Sequence, residues 1–277
     1  MMRIGTMVAH REDLTEIKER LVHLNDMQID NCQFNSWGPA KQTKENAAAV
    51  TELFREHGVT PSALWCGWEG PAKWNFYEGY TTLGIVPTEW REIRVGNLLH
   101  GSEFCGWLGL NHMISHMGYI PENPNDPEYE AVIKALRRIA EPMEARGQYL
   151  LFETGQETPV TLLRAFEDIG THNLGVNLDT ANLILYGKAN PVDALDVIGK
   201  YVMGVHAKDG VYPTDGHNLG KETAIGKGKV DFPTLIRRLH ELGYDGPLTI
   251  EREISGEQQK ADIAASKVYL ESIIASL

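Results

Sequence analysis

YLLFETGQETPVTLLRAFEDIGTHNLGVNLDTAN, residues 149–182, is the stretch whose reading decides the fold. An apolar run over 148–153 reads as a strand, 158–170 as a helix stopped by Gly170, and 174–179 as a second strand. Two strands joined through a helix form a βαβ unit, which places them parallel in one sheet. Each strand also stops on a carboxylate: Glu153 closes the first and Asp179 the second.

The same alternation extends outward in both directions. Strand-like runs occupy 3–9, 27–35, 59–68 and 108–118 before this unit, and 202–208 and 246–251 after it. Between them lie helical segments. Residues 12–25 carry apolar Leu14, Ile17, Leu21 and Leu24 at helical spacing. Helices are also expected near 40–57 (ending at Gly58), 87–107, 126–146, 190–200, 231–243 and 257–275. Asn190-Pro191 reads as an N-cap followed by proline in the first turn, and Asp231 as another cap. Eight strands alternating with eight helices predict an α/β fold, a closed (β/α)8 TIM barrel, as one domain over 1–277. A doubly wound open sheet is the competing architecture, but no glycine-rich dinucleotide fingerprint follows the first strand.

In such barrels the active site lies at the C-terminal ends of the strands. Four polar residues fall at these ends: Glu153, Asp179, His206 in YVMGVHAKDG and Glu251 in GPLTIERE. A lone glutamate at a strand end is more often structural than catalytic, but a quartet at matching ends predicts a divalent-metal site. Three carboxylates and one imidazole favour Mn²⁺, with Mg²⁺, Co²⁺ and Zn²⁺ also compatible. Such an ion would bind a carbonyl and an adjacent hydroxyl and acidify the neighbouring C–H, giving an enediolate on deprotonation. Glu153 and Glu251 are the candidate proton carriers.

Composition narrows the function classes. A net charge of −12 argues against a nucleic-acid or anionic-membrane surface, which would need a clustered basic patch. No apolar run approaches 18 residues, and the first residues lack a signal-type apolar segment. Cys32, Cys66 and Cys105 lack metal-type pairing and read as reduced thiols. A cytoplasmic protein with a small-molecule partner is expected.

Two segments break the regular pattern. Residues 67–107 form an excursion after the third strand, rich in aromatics that include Trp68, Trp74, Phe76, Tyr77 and Tyr80. Its first part, Gly67 to Pro87, reads as an active-site loop in which Trp68 contributes a wall for a sugar's C–H faces. A subunit contact or a satellite core reads equally well. The second segment, 209–232, is a glycine-rich loop in which Gly226 and Gly228 read as a plain turn, because GKGK lacks the phosphate-loop spacing.

FETGQETP, GVNLDTANLILYG, VHAKDG, AIGKGKVDF and IERE resemble motifs of the xylose-isomerase-like sugar phosphate isomerase/epimerase superfamily. That group includes ketose 3-epimerases, hydroxypyruvate isomerase and inosose dehydratase. The resemblance implies one divalent ion held by Glu153, Asp179, His206 and Glu251, with both glutamates shuttling the proton. By the same resemblance His116 in SHMG faces substrate, whereas His112 reads as a core histidine. Glu157 contacts a substrate hydroxyl or caps the next helix, Lys208 stabilises an oxyanion, and Asp209 buttresses its loop. Asn182 stands where ketose epimerases usually carry a histidine, so the substrate-contacting group differs in type.

The leading expectation is a metal-dependent sugar isomerase or epimerase. The alternative is a lyase or dehydratase that eliminates a β-substituent from a keto-sugar, inosose or 3-keto glycoside. A non-catalytic sugar-binding barrel is the remote third. Oligomeric state is open, with dimers and tetramers both common among relatives.

Overall fold

A computed structural model of the protein describes residues 2–277. Its chain runs β1 (Ile4–Ala9), α1 (Leu14–Asp26), β2 (Asn31–Ser36), α2 (Lys44–His57) and β3 (Thr60–Cys66). It continues through α3 (Gly79–Thr82), α4 (Thr88–Trp107), β4 (His112–Ser115), α5 (Pro127–Ala145), β5 (Tyr149–Glu153), α6 (Pro159–Ile169) and β6 (Leu174–Asp179). Then come α7 (Asn182–Leu185), α8 (Pro191–Ile198), β7 (Val202–Ala207), β8 (Asp209–Val211) and β9 (Lys221–Thr223). The last elements are α9 (Phe232–Glu241), β10 (Leu248–Ile250) and α10 (Glu257–Ile274). Strands β1 to β7 pair in sequence order and β10 closes the ring between β7 and β1, giving an eight-stranded parallel barrel. The expected (β/α)8 architecture is therefore the observed one.

Local chemistry sets the helix ends. Asn190 Oδ1 accepts from the Val192 amide and Asp231 Oδ1 from the Thr234 amide, so both expected caps satisfy amides that would otherwise lack partners. Gly58 and Gly170 close α2 and α6 in the left-handed conformation. The main core fills the layer between barrel and helices. A separate small cluster of Ala63, Trp65, Ile114 and Leu151 shares one parity on adjacent strands, as expected for side chains that alternate across a strand.

Two expectations need correction. The fourth strand is not 108–118 but only His112–Ser115. Leu108 and Leu110 still bond back to α4 at Phe104 and Cys105, and beyond Ser115 the chain pairs with the excursion instead of the barrel. There the Ile85 amide donates to Met117 O at 3.0 Å. Gly84 has φ of 64°, and a Cβ on it would lie 2.0 Å from the Met117 carbonyl carbon, so only glycine permits this approach.

The 209–232 loop, expected to be irregular, contains an antiparallel ribbon, β8 against β9. Asp209 anchors it. Its carboxylate accepts from the amides of Gly210 (2.8 Å), Gly226 (2.9 Å), Gly228 (2.9 Å) and Val230 (3.1 Å). The side chain is fully buried, which agrees with the buttressing role expected for it.

The excursion after β3 is held from beneath by Arg94 of α4. Its guanidinium donates to the carbonyls of Glu69 (2.9 Å), Pro71 (2.8 Å), Thr82 (2.8 Å) and Gly84 (2.6 Å). It also covers the face of Trp68 at 4.1 Å from the ring centroid. A buried arginine satisfied by four carbonyls converts an irregular loop into a rigid wall.

Candidate metal centre

Each member of the quartet is placed by its strand end. Glu153 is the last residue of β5 and Asp179 the last of β6, whereas His206 stands next to last in β7 and Glu251 directly follows β10. Strand register sets Asp179 beside His206. Barrel closure does the rest: one ligand atom from each of the four residues lies within 4.8 Å of all the others. His206 Nδ1 is 3.0 Å from Glu153 Oε1, 3.3 Å from Glu251 Oε2 and 3.8 Å from Asp179 Oδ2.

Neighbouring groups select which oxygens stay free. Asp179 Oδ1 accepts from the amides of Ala181 (2.9 Å) and Asn182 (2.8 Å), which fixes the turn leading into the short α7. Its Oδ2 is buried with no hydrogen-bond partner. Glu153 Oε2 accepts from the Trp65 indole N–H, leaving Oε1 turned toward His206 and, at 3.5 Å, toward His116 Nε2. Lys208, itself buried, reaches Glu251 Oε2 (3.2 Å), Glu253 Oε1 (3.1 Å) and Asp179 Oδ2 (3.6 Å).

The electrostatics point the same way. Burial, outweighing the pull of Lys208, raises the Asp179 carboxyl above its ordinary range. Burial acts likewise on Glu251, but Lys208 and His206 overcome it and hold that carboxyl well below the ordinary range. For His206 burial works against the charged form, yet Glu153 and Glu251 keep its pKa well above the usual imidazole value. Asp179, buried and with no hydrogen bond to Oδ2, is thus a carboxylate that Lys208, 3.6 Å away, does not fully compensate. A divalent ion among these donors fits the chemistry, and three carboxylates with one imidazole form an ordinary first-row or magnesium ligand set.

Above the quartet opens a cavity of about 260 Å³. Its aromatic wall is Trp37, Trp65, Trp74 and Tyr186, and its polar wall includes His116, Asn182, Glu153, Glu251 and Glu253. Trp37 stacks on Trp65 with ring centroids 5.2 Å apart, and Trp74 packs on His116 at 4.9 Å. Four larger cavities, of about 500, 530, 590 and 870 Å³, lie elsewhere, and those of 500 and 870 Å³ are lined by residues at the N-terminal ends of strands, including Arg3, Tyr149 and Val202. Chemistry rather than size identifies the site.

Among the residues expected to contact substrate, the structure places His116 and Asn182 on the cavity wall. Trp68 is elsewhere: fully buried, covered by Arg94, its indole N–H donating to His116 O at 3.3 Å. The excursion does contribute a wall residue, but it is Trp74. Glu157 is also off the wall and does not cap α6, since Thr158 Oγ1 accepts from Thr161 N. Lys208 is off it too, its ammonium taken up by the carboxylates and Asn182. His112 begins β4 and lines the cavity at the opposite end of the barrel. Trp37, Trp65, Tyr186 and Glu253 were missed. Trp65 was the findable one, next to last in β3 on the parity of Ala63.

The sequence matches the family described as xylose isomerase-like TIM barrel over residues 23–273. The chain belongs to this family. A xylose isomerase domain protein from Planctomyces limnophilus is similar at 32% identity and a TM-score of 0.91, over 98% of this chain and 97% of that one. A D-tagatose 3-epimerase-like protein shares the family barrel at 24% identity and a TM-score of 0.74, over 99% of this chain and 97% of that one. An uncharacterized protein of Methanocaldococcus jannaschii is 30% identical over 173 residues, 58% of this chain and 57% of its own length. No described helix is long and apolar enough to cross a membrane.

Proposed function

We propose that the protein is a divalent-metal-dependent sugar isomerase or epimerase that removes and returns a proton at a carbon beside a carbonyl. The observation that carries this reading is the pair Glu153 and Glu251. Both line the cavity, from strands on different sides of the barrel, and both also face His206. A proton carrier on each side of one substrate carbon is what inversion requires, whereas binding alone requires neither.

Glu153, Asp179, His206 and Glu251 would hold the ion. When bound, it would act as a Lewis acid toward negative charge developing on the substrate carbonyl oxygen. Trp65 orients Glu153 through its indole N–H, and Lys208 does the same for Glu251 through its ammonium. Trp37 and Trp74 offer apolar faces to sugar C–H groups, and His116 and Asn182 offer hydrogen bonds to hydroxyls.

The wall also points to an uncharged substrate. It carries no arginine or lysine, so beyond the ion itself nothing on the wall would pair with a phosphate or carboxylate, and Glu253 adds a carboxylate that does not belong to the quartet. Its 260 Å³ lies below the usual range for drug-sized ligands and suits a single sugar unit. The D-tagatose 3-epimerase-like relative supports the same substrate class.

A second reading, β-elimination from a keto-sugar, rests on Asn182 and Glu253. The first presents an amide where ketose epimerases present a histidine, and the second adds a third carboxylate to the same wall. One experiment separates the two. Mn²⁺-loaded protein is incubated with ketoses, inososes and 3-keto glycosides in deuterated water. Deuterium in a recovered or isomerised sugar supports the first reading, and an ultraviolet-absorbing enone supports the second. Wild-type exchange rates in both Glu153→Gln and Glu251→Gln would refute the proton-carrier assignment.

A further inference from the structure

Below the quartet, the barrel interior holds a buried polar chain that the proposed chemistry has not used. Gln33 of β2 is 1% exposed. Its Oε1 lies 2.6 Å from His206 Nε2, and its Nε2 donates to Asn177 Oδ1 of β6 at 3.0 Å. Strands β2, β6 and β7 thus join through side chains distant in sequence. The room for this is made by Gly204 on β7, where a Cβ would lie 2.4 Å from Asn177 Oδ1.

The order of donors along this chain has a consequence at His206. Asn177 Oδ1 accepts the Gln33 amide N–H, its own Nδ2 having no hydrogen-bond partner, and this pairing turns Gln33 Oε1 toward the imidazole. Gln33 Oε1 can only accept, which requires the proton on His206 Nε2. A histidine whose Nε2–H is committed below has only Nδ1 to offer above, where the three carboxylates converge; Nδ1–H faces Glu153 Oε1 at 3.0 Å, and it is this proton, not the one on Nε2, that a bound ion would displace. Reversing both carboxamides would put the Gln33 amide N–H against Nε2 and leave the ring's only proton on Nδ1, where it would block ligation.

We propose that Gln33, aligned by Asn177, is the positioning residue that commits the His206 Nε2 proton and so holds Nδ1 as a metal ligand. The inference rests on the metal reading of the quartet. It concerns metal affinity and not the chemistry on sugar, so it can be tested without a substrate. Partners of the second ligand nitrogen of such histidines are commonly worth about 10- to 100-fold in affinity.

Gln33 also lines the 500 Å³ cavity at the N-terminal end of the barrel, which separates a hydrogen-bonding role from a packing role. In Gln33→Leu an apolar side chain fills the space and leaves Nε2–H without an acceptor. In Gln33→Ala the vacated space adjoins that cavity, so a water held by His206 Nε2–H and Asn177 Oδ1 can replace the amide. Gln33→Glu keeps an acceptor for His206 Nε2–H, and Asn177, whose Nδ2 has no other partner, can turn to donate to the second carboxylate oxygen. If Gln33 only packed, alanine would be the most damaging of the three.

Calorimetric titration with Mn²⁺ or Zn²⁺ at constant pH, alongside metal-free melting curves, provides the test. Expected are near-wild-type affinity for Gln33→Glu, a roughly 10- to 100-fold loss for Gln33→Leu, and a smaller loss for Gln33→Ala. In wild-type Zn²⁺-loaded protein with ¹⁵N-labelled histidine, the His206 ring proton is expected on Nε2. Gln33→Leu binding within twofold of wild type, Gln33→Ala binding more weakly than Gln33→Leu, or a ring proton on Nδ1 would each overturn this inference alone. Wild-type protein that binds no divalent ion would overturn the metal reading and this inference together. If Gln33→Leu fails to fold, Gln33→Ala against Gln33→Glu carries the affinity comparison, and equal affinities in those two variants would overturn the inference.

Discussion

The Trp65 indole N–H donates to Glu153 Oε2, and this leaves Glu153 Oε1 3.0 Å from His206 Nδ1. One aromatic side chain therefore lines the cavity and also decides which oxygen of a candidate base faces the reacting centre. Trp65→Phe keeps a ring to stack on Trp37 but removes the donor. The expected result is a roughly 10-fold or greater fall in substrate C–H exchange, as for other small misplacements of a catalytic group, together with a fall of a few degrees in the metal-free melting temperature because a buried carboxylate loses a donor. Deuterium uptake measured beside a melting curve checks it, and an unchanged exchange rate would remove Trp65 from the machinery.

Metal should stabilise the fold. Binding to the native state alone adds about 2.7 kcal/mol when the free ion is at 100 times its Kd. The quartet with its unpartnered Asp179 oxygen predicts that Mn²⁺ raises the melting temperature by several degrees and that a chelator reverses the gain. Asp179→Asn should shrink the gain severalfold. Differential scanning calorimetry with and without ion provides the measurement, and equal shifts in both proteins would argue that the ion binds elsewhere.

Glu157 gives a pH-dependent signature of its own. Burial pushes its carboxyl from 4.5 to about 8. Because the folded-state value is the higher one, stability is full below about 4.5 and declines as pH rises toward about 8. Glu157→Gln removes the ionisable group, so the variant should gain on wild type by on the order of 3 kcal/mol at pH 8 and show little difference near pH 4.5. Melting curves at both pH values test this, and a gap independent of pH would contradict it.

Asp209 predicts a local and a global effect together. It accepts from four backbone amides and is fully buried. Asp209→Ala leaves those amides without their acceptor and should cost on the order of 3 kcal/mol. It should also open the segment around 224–230 to proteolysis before the rest of the chain. Limited digestion with mapping of the first cut is the check, and a first cut outside that segment would show that Asp209 does not hold it.

Strand alternation made the barrel legible, because a βαβ connection leaves few alternatives for where the next strand goes. The quartet was legible for the same reason: each member stands at or next to a strand's C-terminal end, and a closed barrel brings those ends together whatever the sequence distance. Trp68 and Trp74 show where such reasoning stopped. Both are tryptophans of one irregular loop, and nothing local distinguishes them. Arg94, from a helix later in the chain, covers Trp68 and leaves Trp74 to face the cavity. The fourth strand is overestimated because nothing local in 108–118 marks the break at Ser115: past it Met117 O accepts from the Ile85 amide, and Gly118 turns the chain with a φ of 90°.

By itself the sequence determined the alternating architecture, the helix caps and the ring of three carboxylates and one imidazole, since each depends on short-range periodicity or on a strand's last residue. Only the tertiary structure decided which oxygen of each carboxylate is free, which tryptophans face the cavity, and that Gln33 reaches His206. Those are contacts across the barrel between residues as much as 173 positions apart, set by ring closure and by the absence of a side chain at Gly204. Periodicity records which face a residue occupies. It does not record what stands opposite.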